Sequence, residues 1–198
     1  TDAQPPQTTS NEPHPLQFKW TLWHDVFVKG KGAYAANLRE VASFDTVEDF
    51  WALFNNLKEP SQLKPGNTYN LFKAGIEPKW EDPHNDAGGE WRVSLPSTRR
   101  EVLDEYWINT VLTVIGEGFG PDESDDIAGI VLNIKRGNDR IAIWTKTALN
   151  EQLQDRIGKR WRETANIVTI RMEYTVFKDS LMATSKNSNK KARVRYLI

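Results

Sequence analysis

The sequence contains no cysteine among its 198 residues. A disulfide framework, a zinc site with thiolate ligands and a thiol nucleophile are therefore excluded. No apolar run approaches the roughly 20 residues that a membrane-spanning helix requires, so we expect no membrane partner. The absence of cysteine agrees with a reducing compartment, and we expect a cytoplasmic protein, with the nucleus as a second location.

An excess of charge of either sign is also missing. Lysine and arginine number 26 against 27 aspartates and glutamates, which gives a formal net charge of -1. A protein that coats nucleic acid through bulk charge would be strongly basic. If this protein binds a polyanion, it must do so through a few well-placed cations.

The common catalytic motifs are absent as well. The sequence has no P-loop, nucleophile elbow, HExxH pair or dinucleotide fingerprint. Its three histidines, His14, His24 and His84, are scattered along the chain, and the acid pair Glu81-Asp82 is typical of a solvated loop. We therefore expect no catalytic residue, no metal and no cofactor, and a binding protein in place of an enzyme.

Tryptophan, by contrast, is abundant, with eight residues. Trp80 lies between Pro78 and Pro83, which excludes the interior of a helix and disfavours a central strand. Next to it, Glu81 offers two acceptor oxygens. This pair could hold a planar, electron-poor ring, or Trp80 could simply fill the core from a loop, as most tryptophans do. The residues alone leave both interpretations open.

The hydrophobic pattern predicts an α+β domain over residues 14–198, preceded by a disordered tail over residues 1–13 that has no large apolar side chain. The acidic segment 122–126 reads as a loop. Strands are predicted at 18–23, 41–44, 69–73, 90–95, 127–134, 140–145, 167–177 and 194–198, and helices at 45–54, 102–116 and 149–164. Strands therefore dominate, and a mostly antiparallel sheet with helices packed on one face follows.

A cluster of cations marks the turn between two of these strands. Lys135, Arg136 and Arg140 straddle a tight turn, so a phosphate chain could lie across them. A solvated hairpin tip is the more common role for such a cluster, and the cluster alone would favour that interpretation.

Several segments resemble the eukaryotic translation initiation factor 4E family, the mRNA cap-binding proteins. The resemblance runs in order from about His14 to the C-terminus. It is carried by HPL (14–16) with WTLW (20–23), FDTVEDFW (44–51), FKAGIEPKWED (72–82), GGEW (88–91), IGE (115–117) and IAIWT (141–145).

The resemblance implies a curved antiparallel sheet with about three helices on its convex back and a slot for 7-methylguanosine on its concave face. Trp80 would stack on the methylated base, Glu81 would read the guanine edge and Trp144 would contact the 7-methyl group. Tyr34 falls on the other stacking position. Lys135 and Arg140 fall on positions that bind the cap phosphates.

The resemblance also implies a partner patch on the helical face. This patch would receive a YxxxxLΦ peptide from the scaffold subunit of the initiation machinery, or from inhibitory proteins that mimic it. Phe50 and Trp51 point about 100° apart on one helix, so only one of them can face the core, and the resemblance makes Trp51 the outward one. The residues that match the patch are His14, Pro15, Val47, Trp51, Ile108, Val111, Leu112 and Gly116.

Three positions depart from the family pattern. Tyr34 replaces a tryptophan, Glu90 replaces an arginine or lysine near the phosphate path, and Asn109 replaces a glutamate. Tyr34 is similar to divergent cap-binding homologues that repress translation, which is the main alternative function. A tryptophan-lined module for carbohydrate or methyl-ammonium groups is the second alternative.

Overall fold

The computed structural model describes residues 12–26, 37–179 and 194–198. Residues 1–11 of the predicted tail lie outside these ranges. The described residues form eight strands and four complete α-helices, and residues 177–179 are also helical. The strands are β1 (Pro15–Val26), β2 (Arg39–Thr46), β3 (Asn67–Lys73), β4 (Gly89–Pro96), β5 (Ile127–Asn133), β6 (Asn138–Thr145), β7 (Glu173–Val176) and β8 (Val194–Leu197); the helices are α1 (Val47–Phe54), α2 (Leu103–Ile115), α3 (Pro121–Asp126) and α4 (Glu151–Thr164).

The strands form one open sheet in the order β2-β1-β3-β5-β6-β4-β7-β8. Every neighbouring pair is antiparallel. The β1–β2, β5–β6 and β7–β8 pairs contain register shifts, and such bulges bend and twist a strand. The predicted α+β class and antiparallel sheet are confirmed.

The two faces of the sheet carry different clusters because side chains alternate along each strand. The helical face holds the main core, in which Trp91, Ile143 and Trp161 are wholly buried. The opposite face holds a smaller cluster that includes Phe72 and Trp144. We call this side the concave face. None of the helices formed by the described residues is long and apolar enough to cross a bilayer.

Helix α1 begins at Val47, two residues later than predicted, because Thr46 caps it: the Thr46 hydroxyl accepts a hydrogen bond from the Asp49 amide at 3.1 Å. Phe50 is 2% exposed, whereas the adjacent Trp51 is 39% exposed. The expectation that Trp51 is the outward residue of the pair is therefore confirmed.

Two predictions about secondary structure are wrong. The acidic segment 122–126 belongs to helix α3, which Pro121 begins and whose last carbonyls, those of Ser124 and Asp125, accept hydrogen bonds from the Lys73 ammonium. The last long strand begins at Glu173 and not at residue 167. The Arg162 guanidinium binds the carbonyls of residues 167 and 170 at 3.1 Å each, which removes acceptors that a neighbouring strand would need.

Candidate functional site

A cavity of about 350 Å³ opens on the concave face. We call this cavity the slot. The residues that line it are Pro78, Lys79, Trp80, Glu81, Val131, Asn133, Arg140 and Trp144. Four predicted site residues, Trp80, Glu81, Trp144 and Arg140, therefore meet in one place, although up to 64 positions separate them in the sequence (144 − 80 = 64).

Trp80 and Glu81 lie on the loop between β3 and β4, which is tied down from within. The buried Asn85 amide donates to the carbonyls of Glu77 and Lys79 at 3.0 and 2.8 Å. The Asp82 carboxylate accepts from the Glu77 amide at 2.8 Å. These bonds fix the backbone on both sides of Trp80, so its indole is held in place by the loop rather than by the core.

The carboxylate of Asp82 also binds the backbone amide and the ring of His84. Burial raises the pKa of Asp82, but the hydrogen bonds from Glu77 and His84 outweigh it, and the net pKa is lowered. Asp82 is therefore a structural anion of the loop. Its neighbour Glu81 is exposed and makes no hydrogen bond or ion pair within the described residues, so its two oxygens are available to a ligand.

The two tryptophans of the slot are held in different ways. Trp80 is 40% exposed, and its ring is nearly parallel to that of Phe177, with the centroids 6.5 Å apart. Trp144 is 6% exposed, with the edge of Phe72 against it at 5.4 Å and Phe177 at 4.5 Å. A Cβ at Gly129 would lie 2.4 Å from the Phe72 ring, so glycine at that position is what lets Phe72 support Trp144.

Glu90 does not lie free at the mouth of the slot. It is 6% exposed, and its carboxylate accepts hydrogen bonds from Trp144 Nε1 at 3.1 Å and from Arg140 Nη1 at 3.2 Å. The Glu90 carboxylate, which replaces the arginine or lysine of the family pattern, is therefore already paired with a cation.

The predicted phosphate-binding cations lie at the β5–β6 hairpin. Arg140 lines the slot, whereas Lys135 is exposed just beyond it. Desolvation and the positive charge of Arg140 lower the pKa of Lys135, against the opposing effect of Glu90. The buried Asp139 holds this turn: it accepts from the Lys135 amide at 2.9 Å and from Arg100 at 2.7 and 3.2 Å.

A sequence profile identifies the family. The profile described as Eukaryotic initiation factor 4E matches residues 15–192. The chain belongs to the eukaryotic initiation factor 4E family. Initiation factor isoform 4E of Nicotiana tabacum is 40% identical over 188 residues, which is 94% of this chain and 91% of that protein. Initiation factor 4E of Bos taurus is 48% identical over 151 residues, 76% of this chain and 69% of that protein.

Solved structures of the 4E family share the fold. Ascaris suum eIF4E-3, in a complex with an m2,2,7G cap, superimposes with a TM-score of 0.85 at 35% identity and covers 94% of this chain and 99% of its own. C. elegans eIF4E-3, in a complex with the 4E-binding protein Mextli and a cap analog, gives a TM-score of 0.84 at 34% identity. The match covers 94% of this chain and 100% of the C. elegans chain. The curved sheet with helices on its convex side is therefore the 4E fold.

The residues predicted for the partner patch of this 4E-family chain lie on the helical face, and most are accessible. Val47, Trp51 and Leu112 are each 37 to 39% exposed; His14, Pro15 and Gly116 are exposed and Ile108 is half-buried. Val111 is the exception and corrects the prediction. It is 0% exposed, because it lies on the core side of α2 and supports the patch from below.

The N-terminal segment is fastened to this patch through His14. Its ring and its backbone amide both bind the Glu48 carboxylate, at 2.6 and 2.9 Å. The hydrogen bond from the His14 side chain is the main reason that the pKa of Glu48 is lowered. Beside the patch, a groove of about 400 Å³ extends from Trp51 past Tyr69 to Ile108. The groove combines apolar side chains with charged ones, among them Lys58, Glu59 and Asp104.

Tyr34, the other predicted stacking residue, lies outside the described ranges. Other contributors were not predicted from the sequence at all. Phe177 is one of them. Thr175 pairs with Glu90 in the sheet, and Phe177, two residues further along, is expected on the same concave face, so the strand pattern contained a signal for it.

Within the described ranges, no group of three or more His, Cys, Asp or Glu side chains could hold a metal ion.

Proposed function

We propose that this chain binds the 7-methylguanosine 5′ cap of mRNA in the slot and recruits the mRNA to the initiation machinery through a scaffold subunit at the partner patch. The observation that carries the proposal is the free carboxylate of Glu81 beside the half-exposed Trp80. The two lie on the same cavity as Arg140, so an aromatic face, an acceptor pair and a cation converge.

The base is recognised by its charge and its edge. Methylation at N7 makes guanine a planar cation, which gains cation–π energy on the face of Trp80. The protonated N1 and the exocyclic amine of guanine form two adjacent donors, and the two oxygens of Glu81 can accept both. Trp144 forms the inner wall, and Tyr34 supplies the second stacking face.

The phosphate chain runs from the base toward the hairpin. Arg140 and Lys135 lie in that direction, and their charges attract a polyanion in a chain whose overall charge is near zero. Lys135 acts as an exposed point charge, whereas Arg140 faces the phosphate chain with a guanidinium that it already shares with the Glu90 carboxylate.

The scaffold subunit, and inhibitory proteins with the same YxxxxLΦ motif, bind the opposite face. An amphipathic helix places its apolar residues on one side, and the exposed Val47, Trp51 and Leu112 offer a matching surface. His14, Pro15, Ile108 and Gly116 border it. Asn109, half-exposed on α2, would donate or accept one hydrogen bond in place of a charged contact.

The comparisons favour initiation over repression, because the curated relatives are named as initiation factors. We further propose that the domain spans residues 14–198, that it is not an enzyme and that it acts in the cytoplasm, with the nucleus as a second location.

The experiment is a titration of tryptophan fluorescence with 7-methyl-GTP and with GTP. We expect 7-methyl-GTP to bind at least 100-fold more tightly, about 2.7 kcal/mol, because only the methylated base is a cation. Trp80→Ala should abolish the binding. Trp51→Ala is the matched control, because it removes an equally exposed tryptophan from the other face and should leave cap binding intact.

Two results would contradict the proposal. Equal affinity for the two nucleotides would exclude the cationic stack. Binding of a sugar or a methyl-lysine peptide that ignores the loss of Lys135 and Arg140 would favour the tryptophan-lined module with no role in RNA binding.

A further inference from the structure

Glu90 connects the aromatic wall of the slot to its cation. Its register partner on β6 is Trp144, and the two side chains meet through the 3.1 Å bond from the indole Nε1 to one carboxylate oxygen. The other oxygen binds Arg140 Nη1 at 3.2 Å. One carboxylate therefore positions the ring and neutralises the arginine at the same time.

We infer that Glu90 determines how the slot divides its affinity between base and phosphate: it holds Trp144 in place and withholds Arg140 from the phosphate chain. This inference rests on the function proposed above. Its consequence is a chain that prefers caps for their methylated base and gains little from additional phosphates.

The charges around Glu90 support this division. The neighbouring Arg92 lies 3.8 Å from Glu90, but its other nitrogen is paired with Glu173 at 2.8 Å. Arg92, Arg140 and Lys79, which also lines the slot, are therefore already paired with carboxylates, whereas Lys135 and Arg136 at the hairpin have no ion pair within the described residues. A phosphate that approaches Arg140 must compete with Glu90 for the same Nη1 and must tolerate the fixed negative charge.

The bond to Trp144 explains why the carboxylate stays in place. Trp144 is 6% exposed, and a buried indole N–H without an acceptor would cost free energy. Glu90 satisfies it, so the same substitution that would strengthen phosphate binding would leave the wall of the slot unsatisfied unless the new side chain is also an acceptor.

The test compares the affinities of 7-methylguanosine, 7-methyl-GMP and 7-methyl-GTP in matched variants. Glu90→Gln removes the charge but keeps an oxygen for Trp144 Nε1. We expect the ratio of the triphosphate affinity to the nucleoside affinity to rise roughly five- to tenfold, with a steeper loss of affinity as salt increases. Glu90→Ala also removes the acceptor, so the nucleoside itself should bind more weakly.

Glu163→Gln is the control for net charge, because Glu163 is exposed at the end of α4, on the helical side; its ratio should stay within twofold of the wild-type value. Arg140→Gln provides a second measurement. It should reduce triphosphate affinity more in the Glu90→Gln background than in the wild type, since only there is the arginine released.

The outcomes separate the inference from the function on which it rests. If the wild-type protein binds none of the three ligands, the proposed function fails and the inference fails with it. If the wild type binds them but Glu90→Gln changes all three affinities by one common factor, Glu90 only positions Trp144, and the inference is overturned while cap binding stands.

Discussion

Trp80 and Trp144 line the same cavity, yet 40% of Trp80 is exposed and only 6% of Trp144. Trp80 contributes little to the core, because the loop backbone fixes it, whereas Trp144 packs against Phe72 and Phe177. Removal of Trp144 should therefore lower the free energy of unfolding much more than removal of Trp80.

We expect Trp80→Ala to abolish cap binding while it lowers the free energy of unfolding by less than about 1 kcal/mol. Trp144→Ala should lower it by about 3–5 kcal/mol, because it leaves a cavity beside two aromatic rings. Urea unfolding monitored by circular dichroism measures both. An equal loss of stability in the two variants would mean that Trp80 is a core residue.

The neighbours Phe50 and Trp51 offer the same contrast on the helical face. Trp51→Ala should prevent binding of a YxxxxLΦ peptide with little change in stability, since 39% of the side chain is exposed. Phe50→Ala, at a position that is 2% exposed, should cost about 3–5 kcal/mol of unfolding free energy. Calorimetric titration with the peptide measures the first effect. Undiminished binding to Trp51→Ala would place the peptide elsewhere.

The buried Lys73 should make the free energy of unfolding depend on pH in the alkaline range. The residue is 7% exposed, and burial lowers the pKa of its ammonium from the ordinary 10.5 to about 8. Between these values the unfolded chain holds a proton that the folded chain has released. The free energy of unfolding therefore rises with pH through this window, by about 1.4 kcal/mol per pH unit from this group. The neutral amine still has N–H groups for the carbonyls of Ser124 and Asp125.

The measurement compares the wild type with Lys73→Met in urea at several pH values between about 7 and 10. The stability of the wild type relative to the variant should grow above pH 8. Burial raises the pKa of Tyr69 and of Tyr174, but both tyrosines titrate in the two proteins and cancel. A constant difference across the window would mean that Lys73 keeps its charge in the fold.

Asp139 is the residue on which the hairpin depends. We expect Asp139→Ala to lower the free energy of unfolding by about 3–5 kcal/mol, because Arg100 would lose its partner in a partly buried site. Triphosphate affinity should also fall, since the Lys135 backbone loses its anchor. Asp155→Ala is a suitable control: its pair with Lys159 is exposed and is worth less than 1 kcal/mol. Equal effects of the two substitutions would contradict the anchoring role.

Local sequence patterns predicted most of the elements. The exposure of Trp51 and the grouping of Trp80, Glu81, Trp144 and Arg140 were predicted from the family resemblance and not from local patterns. Periodicity alone cannot order the strands.

The contacts that depend on strand order were not predicted. Glu90 reaches Arg140 because β4 pairs with β6, and Arg100 reaches Asp139 across 39 positions. Helix α3 was missed because it carries four acidic residues and no apolar stripe. The ammonium of Lys73, on a distant strand, donates to carbonyls near its C-terminus.

The concave and helical faces are separated by a single layer of backbone. Ile143 and Trp144 are adjacent in β6, yet Ile143 packs in the core beneath the helices and Trp144 lines the slot. The slot and the partner patch share no residue, so neither ligand occludes the other and both can be held at once. Under the proposed function, any influence of one ligand on the affinity of the other is a coupling free energy transmitted across one strand, and we expect the chain to connect an RNA end to a protein.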